Sequence, residues 1–221
     1  MTKALIFDFD GLILDTEVPD YESWQSVYAR YGQDLPMSLW GQVVGGDGGS
    51  DFDPHTYLEK LTEQSLDREE VWISRRTAYL DTVAQQPIMP GVEDYLARAQ
   101  ARGLKLGVAS SSPENWVHGH LNRLGLFECF DAIRTADDVA RTKPDPALYL
   151  GALEALRVSA EEAVVFEDSA NGVQAAKAAG IYTVAVPNEI TRQLEIVGAD
   201  LRLNSLAELP LEDLLARVQN A

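Results

Sequence analysis

Five short apolar runs, set apart by stretches of helical period, constrain this chain more than any other feature. They are Ala4 to Phe7, Leu104 to Ala109, Ala132 with Ile133, Ala163 to Phe166, and Ile181 to Val186. Each is too continuous for the alternation of a half-exposed strand, so each reads as a strand covered on both faces. Val92, Tyr95, Leu96 and Ala99 share one helical face that ends at Gly103. Val173 to Ala179 form a second helix closed by Gly180, and a last helix runs from Leu211 to Val218. Strands and helices in alternation predict an α/β fold with a Rossmann-like, doubly wound parallel sheet.

Residues 16–88 break that alternation. Trp24, Val27, Tyr28 and Tyr31 fall on one helical stripe, Leu58 and Leu61 on another, and Val71, Ile73 and Leu80 belong to a third helix. The expectation is a small α-helical cap domain over residues 16–88, inserted into a core domain of residues 1–15 and 89–221. Asp15-Thr16 and Pro87 to Gly91 are the two connections, and such a pair can serve as a hinge.

The 221 residues carry 35 acidic and 18 basic side chains, a net charge of −17. That charge argues against nucleic acid and against anionic membranes as partners. No run approaches the roughly 18 apolar residues of a membrane span. Cys129 is the only cysteine, which excludes an intramolecular disulfide framework and a cysteine-based zinc site. The start, MTKALIFDFDG, does not read as a signal peptide. A cytoplasmic monomer acting on a small molecule is expected. An anionic substrate would face an unfavourable overall field, which a divalent cation could offset.

In open α/β sheets ligands bind beyond the carboxyl ends of the strands. Asp8 and Asp10 follow the first run, Ser110, Ser111 and Ser112 the second, Lys143 the third, and Glu167 and Asp168 the fourth. This set suits phosphoryl transfer. Asp8 can act as a nucleophile. Asp10 can protonate a leaving oxygen and then activate water. Asp8, Asp168 and Glu167 offer the oxygen ligands that Mg²⁺ prefers. Ser110 and the amides at the next helix start can bind phosphoryl oxygens, and Lys143 can balance charge. Taken singly, each has a plainer reading. Asp8 and Asp10 could mark a turn, Ser111 to Glu114 a capping box, Asp145 an N-cap before Pro146, and Ser169 a cap. Their joint placement at strand ends favours chemistry. A phospho-accepting receiver-type switch uses a similar set, but its acceptor does not directly follow the first strand beside a helical insert.

Asp8-Phe9-Asp10-Gly11-Leu12-Ile13-Leu14-Asp15-Thr16, Ser110, Lys143-Pro144-Asp145-Pro146 and Glu167-Asp168-Ser169-Ala170-Asn171-Gly172 resemble the four motifs of the haloacid dehalogenase-like hydrolase superfamily. The insert after Thr16 resembles the small cap of its β-phosphoglucomutase and sugar-phosphatase branch. The resemblance implies Mg²⁺-dependent chemistry through an aspartyl-phosphate on Asp8. It implies a metal held by Asp8, Asp168 and the main-chain carbonyl of Asp10, with Glu167 beside them. It also implies a flap from Gly11 to Leu14, with Gly11 joining Ser110, Ser111 and Lys143 around the phosphate. The mutases carry a cap histidine five residues after the position of Asp15; here that position is Asp20. Arg75 or Arg76 stands near the position of a mutase cap lysine. A phosphatase of small phosphorylated metabolites, sugar phosphates foremost, is therefore favoured over a β-phosphoglucomutase, with Asp20, Arg75 and Arg76 as candidate specificity residues.

Gly45 to Asp53 is expected to be a cap loop, with Asp47, Asp51 and Asp53 disfavouring a second anionic group nearby. His55, His118 and His120 lack metal-ligand spacing and read as surface or partly packed. Trp24, Trp40 and Trp72 read as cap core; Trp116, at the start of a core helix, could sit near the site, with packing the favoured reading.

Overall fold

The computed structural model describes residues 1–40 and 52–220. Each of the five apolar runs forms a strand: β1 (Ala4–Phe7), β2 (Lys105–Ala109), β3 (Ala132–Arg134), β4 (Ala163–Glu167) and β5 (Tyr182–Ala185). A sixth, β6 (Leu201–Arg202), is two residues long and too short to show a period. The order is β3-β2-β1-β4-β5-β6, and every pairing is parallel.

Both faces of the sheet are covered. Leu5 and Phe7 of β1 join a core with α5 (Val92–Ala101), α6 (Glu114–Leu124) and α9 (Leu211–Gln219). Ala4 and Ile6 point the other way, into a core with α7 (Ala147–Leu156) and α8 (Ala170–Ala178). Hence all four β1 residues are buried and the run shows no alternation. From β1 the chain builds β2 and β3 on one side, then crosses to build β4, β5 and β6 on the other. The strand order therefore reverses at β1, which opens a crevice beyond the carboxyl ends of β1 and β4.

Among the described residues, four helices lie between β1 and α5: α1 (Glu17–Arg30), α2 (Met37–Trp40), α3 (Pro54–Thr62) and α4 (Arg68–Val83). Val27, Tyr28, Leu35, Trp40, Leu58 and Val71 give them a core, which Ile190 from beyond β5 joins. Asp53 caps α3 by accepting from the His55 amide, and Asp67 caps α4 by accepting from the Glu69 and Glu70 amides. The chains entering and leaving this insert run side by side: Leu14 bridges Ile88, and the Met89 amide donates to the Ile13 carbonyl at 2.9 Å.

Several expectations need correction. On α4 the inward face is Val71, Arg75, Tyr79 and Val83, spaced four apart, so Ile73, Leu80 and Trp72 point outward and are exposed. Tyr31 and Leu61 also lie on the rim of the insert rather than in its core. His55 is buried rather than at the surface, because it sits on the first turn of α3 against the insert. The capping box from Ser111 does not form: α6 begins after Pro113, and its Glu114 amide donates to Asp137 Oδ2 at 2.7 Å. Asp145 accepts from the Ala147 amide at 3.0 Å, and Ser169 caps α8 by accepting from the Gly172 amide at 3.1 Å. The expected loop with Asp47 and Asp51 lies outside the described residues; Asp53 is occupied as a cap and an ion-pair partner of Arg68 at 2.7 Å.

Candidate active site

β1 and β4 run in register, Phe7 opposite Phe166, with the two rings stacked at 4.8 Å. The Asp8 amide extends the ladder by donating to the Phe166 carbonyl at 3.0 Å. The strand ends therefore set Asp8 beside Glu167 and Asp168. Ligand oxygens of these three buried carboxylates lie within 4.8 Å of one another. Lys143, from the connection between β3 and α7, reaches in with Nζ 2.7 Å from Asp8 Oδ1 and 2.6 Å from Glu167 Oε1.

One ammonium cannot offset three buried carboxylates. Burial, and then the Glu167 charge, hold the Asp8 carboxyl above its usual range despite Lys143. Burial and then Asp8 do the same to Asp168. Burial alone would lower Lys143, but the Asp8 and Glu167 carboxylates overcome it and hold the ammonium charged. Each partner of the Asp8–Lys143 pair is thus shifted upward, because Lys143 divides its charge between two acids. The cluster is short of positive charge, and its donors are all hard oxygens. Those two properties fit a divalent cation such as Mg²⁺.

Glu167 is the most enclosed of the three. Its Oε1 accepts from Lys143 and from the Tyr149 hydroxyl, and its Oε2 accepts from the Ser169 hydroxyl at 3.2 Å. Its carboxylate lies against Gly172, where an added Cβ would come within 1.9 Å. Gly11 has φ +74°, and a Cβ there would lie 2.3 Å from Asp168 Oδ2. The flap therefore passes directly over the acidic cluster only because residue 11 is glycine. Asn188, beyond β5, ties the two together: its Nδ2 is 2.7 Å from Asp168 Oδ2 and 3.3 Å from the Gly11 carbonyl.

Asp10 faces the β2 side of the crevice. Its Oδ2 accepts from the Ser112 hydroxyl at 2.7 Å and from the Ser110 hydroxyl at 3.2 Å. Its Oδ1 accepts from the Trp116 indole N–H at 2.8 Å. Trp116 is therefore more than the packing residue its position suggests. Ser110 is fully buried, and its hydroxyl also accepts from the Ser112 amide; Ser111 is exposed at the cavity wall.

Asp8, Asp10, Ser111, Ser112, Trp116, Lys143 and Asp168 line a cavity of about 680 Å³, and the insert supplies its other wall. Glu17, Asp20, Arg76 and Tyr79 contribute from α1 and α4. Burial, and then the charges of Asp10 and Asp20, push the Glu17 carboxyl up to about 8. Asp20 is raised by burial, although Arg75 opposes this. Arg75 ion-pairs with Asp20, donates to the Ser23 hydroxyl at 3.1 Å, and lies over the Trp24 ring. Of the two arginines, Arg76 faces the cavity while Arg75 braces α1 against α4. The strand-end rule, applied to the fifth run, reaches Asn188. Glu17 and Tyr79 carry no comparable signal, because only packing of the insert brings them to the crevice.

A doubly wound sheet with an acidic, lysine-braced crevice under a helical insert defines an α/β enzyme of the phosphoryl-transfer kind. The family model described as haloacid dehalogenase-like hydrolase matches residues 5–186, and the chain belongs to that family. Among similar proteins, the provisionally named phosphatase YhcW of Bacillus subtilis (strain 168) is 49% identical, with 97% of each chain covered. Hexitol phosphatase B of Escherichia coli (strain K12) is 32% identical, with 96% of each covered. A crystal structure provisionally titled as a β-phosphoglucomutase from Thermotoga maritima superposes with a TM-score of 0.77 at 30% identity, covering 97% of this chain and 99% of that one. Phosphoric monoester hydrolase is the enzyme class that the named relatives define, and family membership sets the receiver-type switch aside. Among the described residues, no helix is long and apolar enough to cross a membrane.

Proposed function

We propose that this protein is a Mg²⁺-dependent phosphatase of small phosphorylated metabolites, sugar phosphates foremost, working through an aspartyl-phosphate on Asp8. The observation that carries this reading is the meeting of Asp8, Glu167, Asp168 and Lys143 at the β1–β4 switch point, under a cavity walled by the insert. The Bacillus relative supports a phosphatase, and hexitol phosphatase B supports a phosphorylated sugar-like substrate.

A carboxylate oxygen of Asp8 attacks phosphorus, and the bond from phosphorus to the ester oxygen breaks. The bonding electrons leave with that oxygen, and Asp10 delivers a proton to it. Asp10 then takes a proton from water as that water attacks the aspartyl-phosphate, which regenerates Asp8 and releases phosphate. Lys143 holds Asp8 in place and offsets charge on the phosphoryl oxygens, with Ser110, Ser111 and the Gly11 flap lining their site. Asp8, Asp168 and the Asp10 carbonyl would hold Mg²⁺, with Glu167 behind them fixing Lys143. When bound, the cation supplies the positive charge that the cluster lacks and neutralises the incoming phosphate.

Residues 16–88 act as a cap domain over the core of residues 1–15 and 89–221, hinged where Leu14 meets Ile88. The enzyme works as a cytoplasmic monomer. Asp20, held by Arg75, occupies the place of the mutase histidine, which favours hydrolysis over isomerisation. Arg76 and Asp20 face the substrate's carbon skeleton.

The test is phosphate release from a panel of sugar phosphates and phosphoglycolate, with Mg²⁺ and with chelator, for the native chain and Asp8→Asn. Release that needs both Mg²⁺ and Asp8 is the expected result. Full activity of the Asp8 variant would refute the covalent route. Conversion of glucose 1-phosphate to glucose 6-phosphate without release would identify a mutase.

A further inference from the structure

Trp116 stands on the first turn of α6, on the core side of the crevice, and touches both the insert and Asp10. Its indole N–H donates to Asp10 Oδ1 at 2.8 Å. Its ring stacks on Tyr79 of α4, with centroids 5.9 Å apart and planes within 9°. The Arg76 guanidinium lies over both rings, 5.0 Å from the Tyr79 centroid and 5.5 Å from that of Trp116. His120, one turn along α6, supports the indole edge-on at 4.3 Å. Farther along α6, Arg123 donates to the Val83 and Gln86 carbonyls at the end of α4. Helices α4 and α6 are thus docked at two points, and one of them ends on Asp10.

We propose that Trp116 is a positioning residue, which aims the Asp10 carboxyl and does so in register with the seated insert through the Tyr79–Trp116–Arg76 stack. The inference rests on the reading of Asp10 as the group that protonates the leaving oxygen. An indole has one N–H and no acceptor, so its bond to Oδ1 fixes both the rotation of the carboxyl group and the approach of the ring. Ser110 and Ser112 share the other oxygen and set only the far side. When α4 sits on α6, the ring plane is fixed by Tyr79. When α4 moves off, the indole loses that support and Asp10 loses its alignment.

The test exploits leaving groups. An alkyl phosphate expels a basic alkoxide that needs a proton, whereas p-nitrophenyl phosphate expels a stable phenolate that does not. For a covalent route kcat/KM reports the steps through formation of the aspartyl-phosphate, so it isolates the protonation. Trp116→Phe keeps an aromatic ring and removes the donor. We expect its kcat/KM to fall about tenfold, which corresponds to about 1.4 kcal/mol, on the alkyl phosphate turned over best in the panel above. On p-nitrophenyl phosphate it should fall less than twofold, with KM for the alkyl ester unchanged. Tyr79→Leu, which leaves the indole in place, should show the same selectivity to a smaller degree, and it carries the test if Trp116→Phe does not fold. Equal losses on both esters would assign Trp116 to packing, and no loss would make the contact idle. A gain would make it a parking contact. Each of these overturns the proposal. Asp10→Asn separates the two readings: it should show a larger leaving-group-selective loss. If it shows none, the role of Asp10 as acid fails, whatever Trp116→Phe does.

Discussion

Replacing Gly172 by Ala tests whether the Glu167–Lys143 brace holds the site together. Gly172 lies in the first turn of α8, and an added Cβ would lie 1.9 Å from the Glu167 carboxyl carbon and Oε2. Ordinary contact starts near 3.5 Å, so the carboxylate must retreat by about 1.5 Å. A flexible surface side chain would simply swing aside. Glu167 has no exposed surface and is held by Lys143, Tyr149 and Ser169, so it moves only by breaking those bonds. Disrupting a buried ion pair costs about 3–5 kcal/mol. For a chain of this size, where 1 kcal/mol moves the melting temperature by about 2–4 °C, Tm should fall by about 6–20 °C. Phosphate release should fall with it, because Lys143 loses the partner that aims it at Asp8. The assay is thermal unfolding in chelator, with Gly119→Ala as the control. Gly119 sits inside α6, and an added Cβ there meets nothing within 4 Å. The control should therefore gain about 0.5–1 kcal/mol from helix propensity. A Gly172→Ala protein that melts within 2 °C, roughly the smallest shift 1 kcal/mol gives, would refute the argument that Glu167 is locked.

Three further outcomes follow from the charges in the crevice. Mg²⁺ at about a hundred times its dissociation constant should stabilise the fold by about 2.7 kcal/mol, a rise of roughly 5–11 °C in Tm, and Asp168→Asn should abolish most of that shift; an equal shift in the variant would move the cation elsewhere. Glu17 has a folded carboxyl raised to about 8 from an ordinary 4.5, so the folded state keeps a proton that the unfolded chain releases, and stability falls as pH rises between those values. Glu17→Gln, melted in chelator, should therefore gain on the native protein from pH 5 to pH 8, and a constant difference across that range would show that Glu17 is not desolvated. Finally, with a net charge of −17 acting on an anionic ester, kcat/KM at fixed free Mg²⁺ should rise between low salt and physiological salt, as screening removes the repulsion. A fall would mean that the local field of Lys143 and the cation outweighs the whole.

How much of this was legible in the sequence depends on whether a residue is placed by the chain's own period or by contact between distant segments. Leu5 and Phe7 against Ala4 and Ile6 already imply two covered faces, and the run's end then fixes Asp8 at the crevice mouth. The same logic delivers Ser110, Glu167 and Asp168, each directly after a buried run. Lys143 is harder, because it follows β3 by nine residues and reaches the site through a connection, yet its family motif marks it. Beyond these the signal thins. β6 is too short to have a period, and Trp72 is indistinguishable in type from Trp40, although one is exposed and the other buried. On α4, the difference between Arg75 and Arg76 is a 100° rotation that no composition reveals: one turns to Asp20 and Trp24, the other to the cavity.

Trp116 shows why the last step resists sequence reading. Its neighbours in the chain, Pro113 to Val117, are those of an ordinary helix start, and a tryptophan there satisfies packing without further explanation. Its meaning comes from three segments meeting: Asp10 from the end of β1, Tyr79 and Arg76 from the insert, and the indole between them. The core motifs are placed by strands that cannot slip register without turning every apolar side chain to the wrong face. The insert has no such constraint on the core, since it joins at one pair of connections and can seat only where side chains such as Tyr79 find partners. Chemistry is therefore written in the rigid sheet, where position along the chain nearly determines position in space. Control of that chemistry falls to the contact between α4 and α6, where it does not.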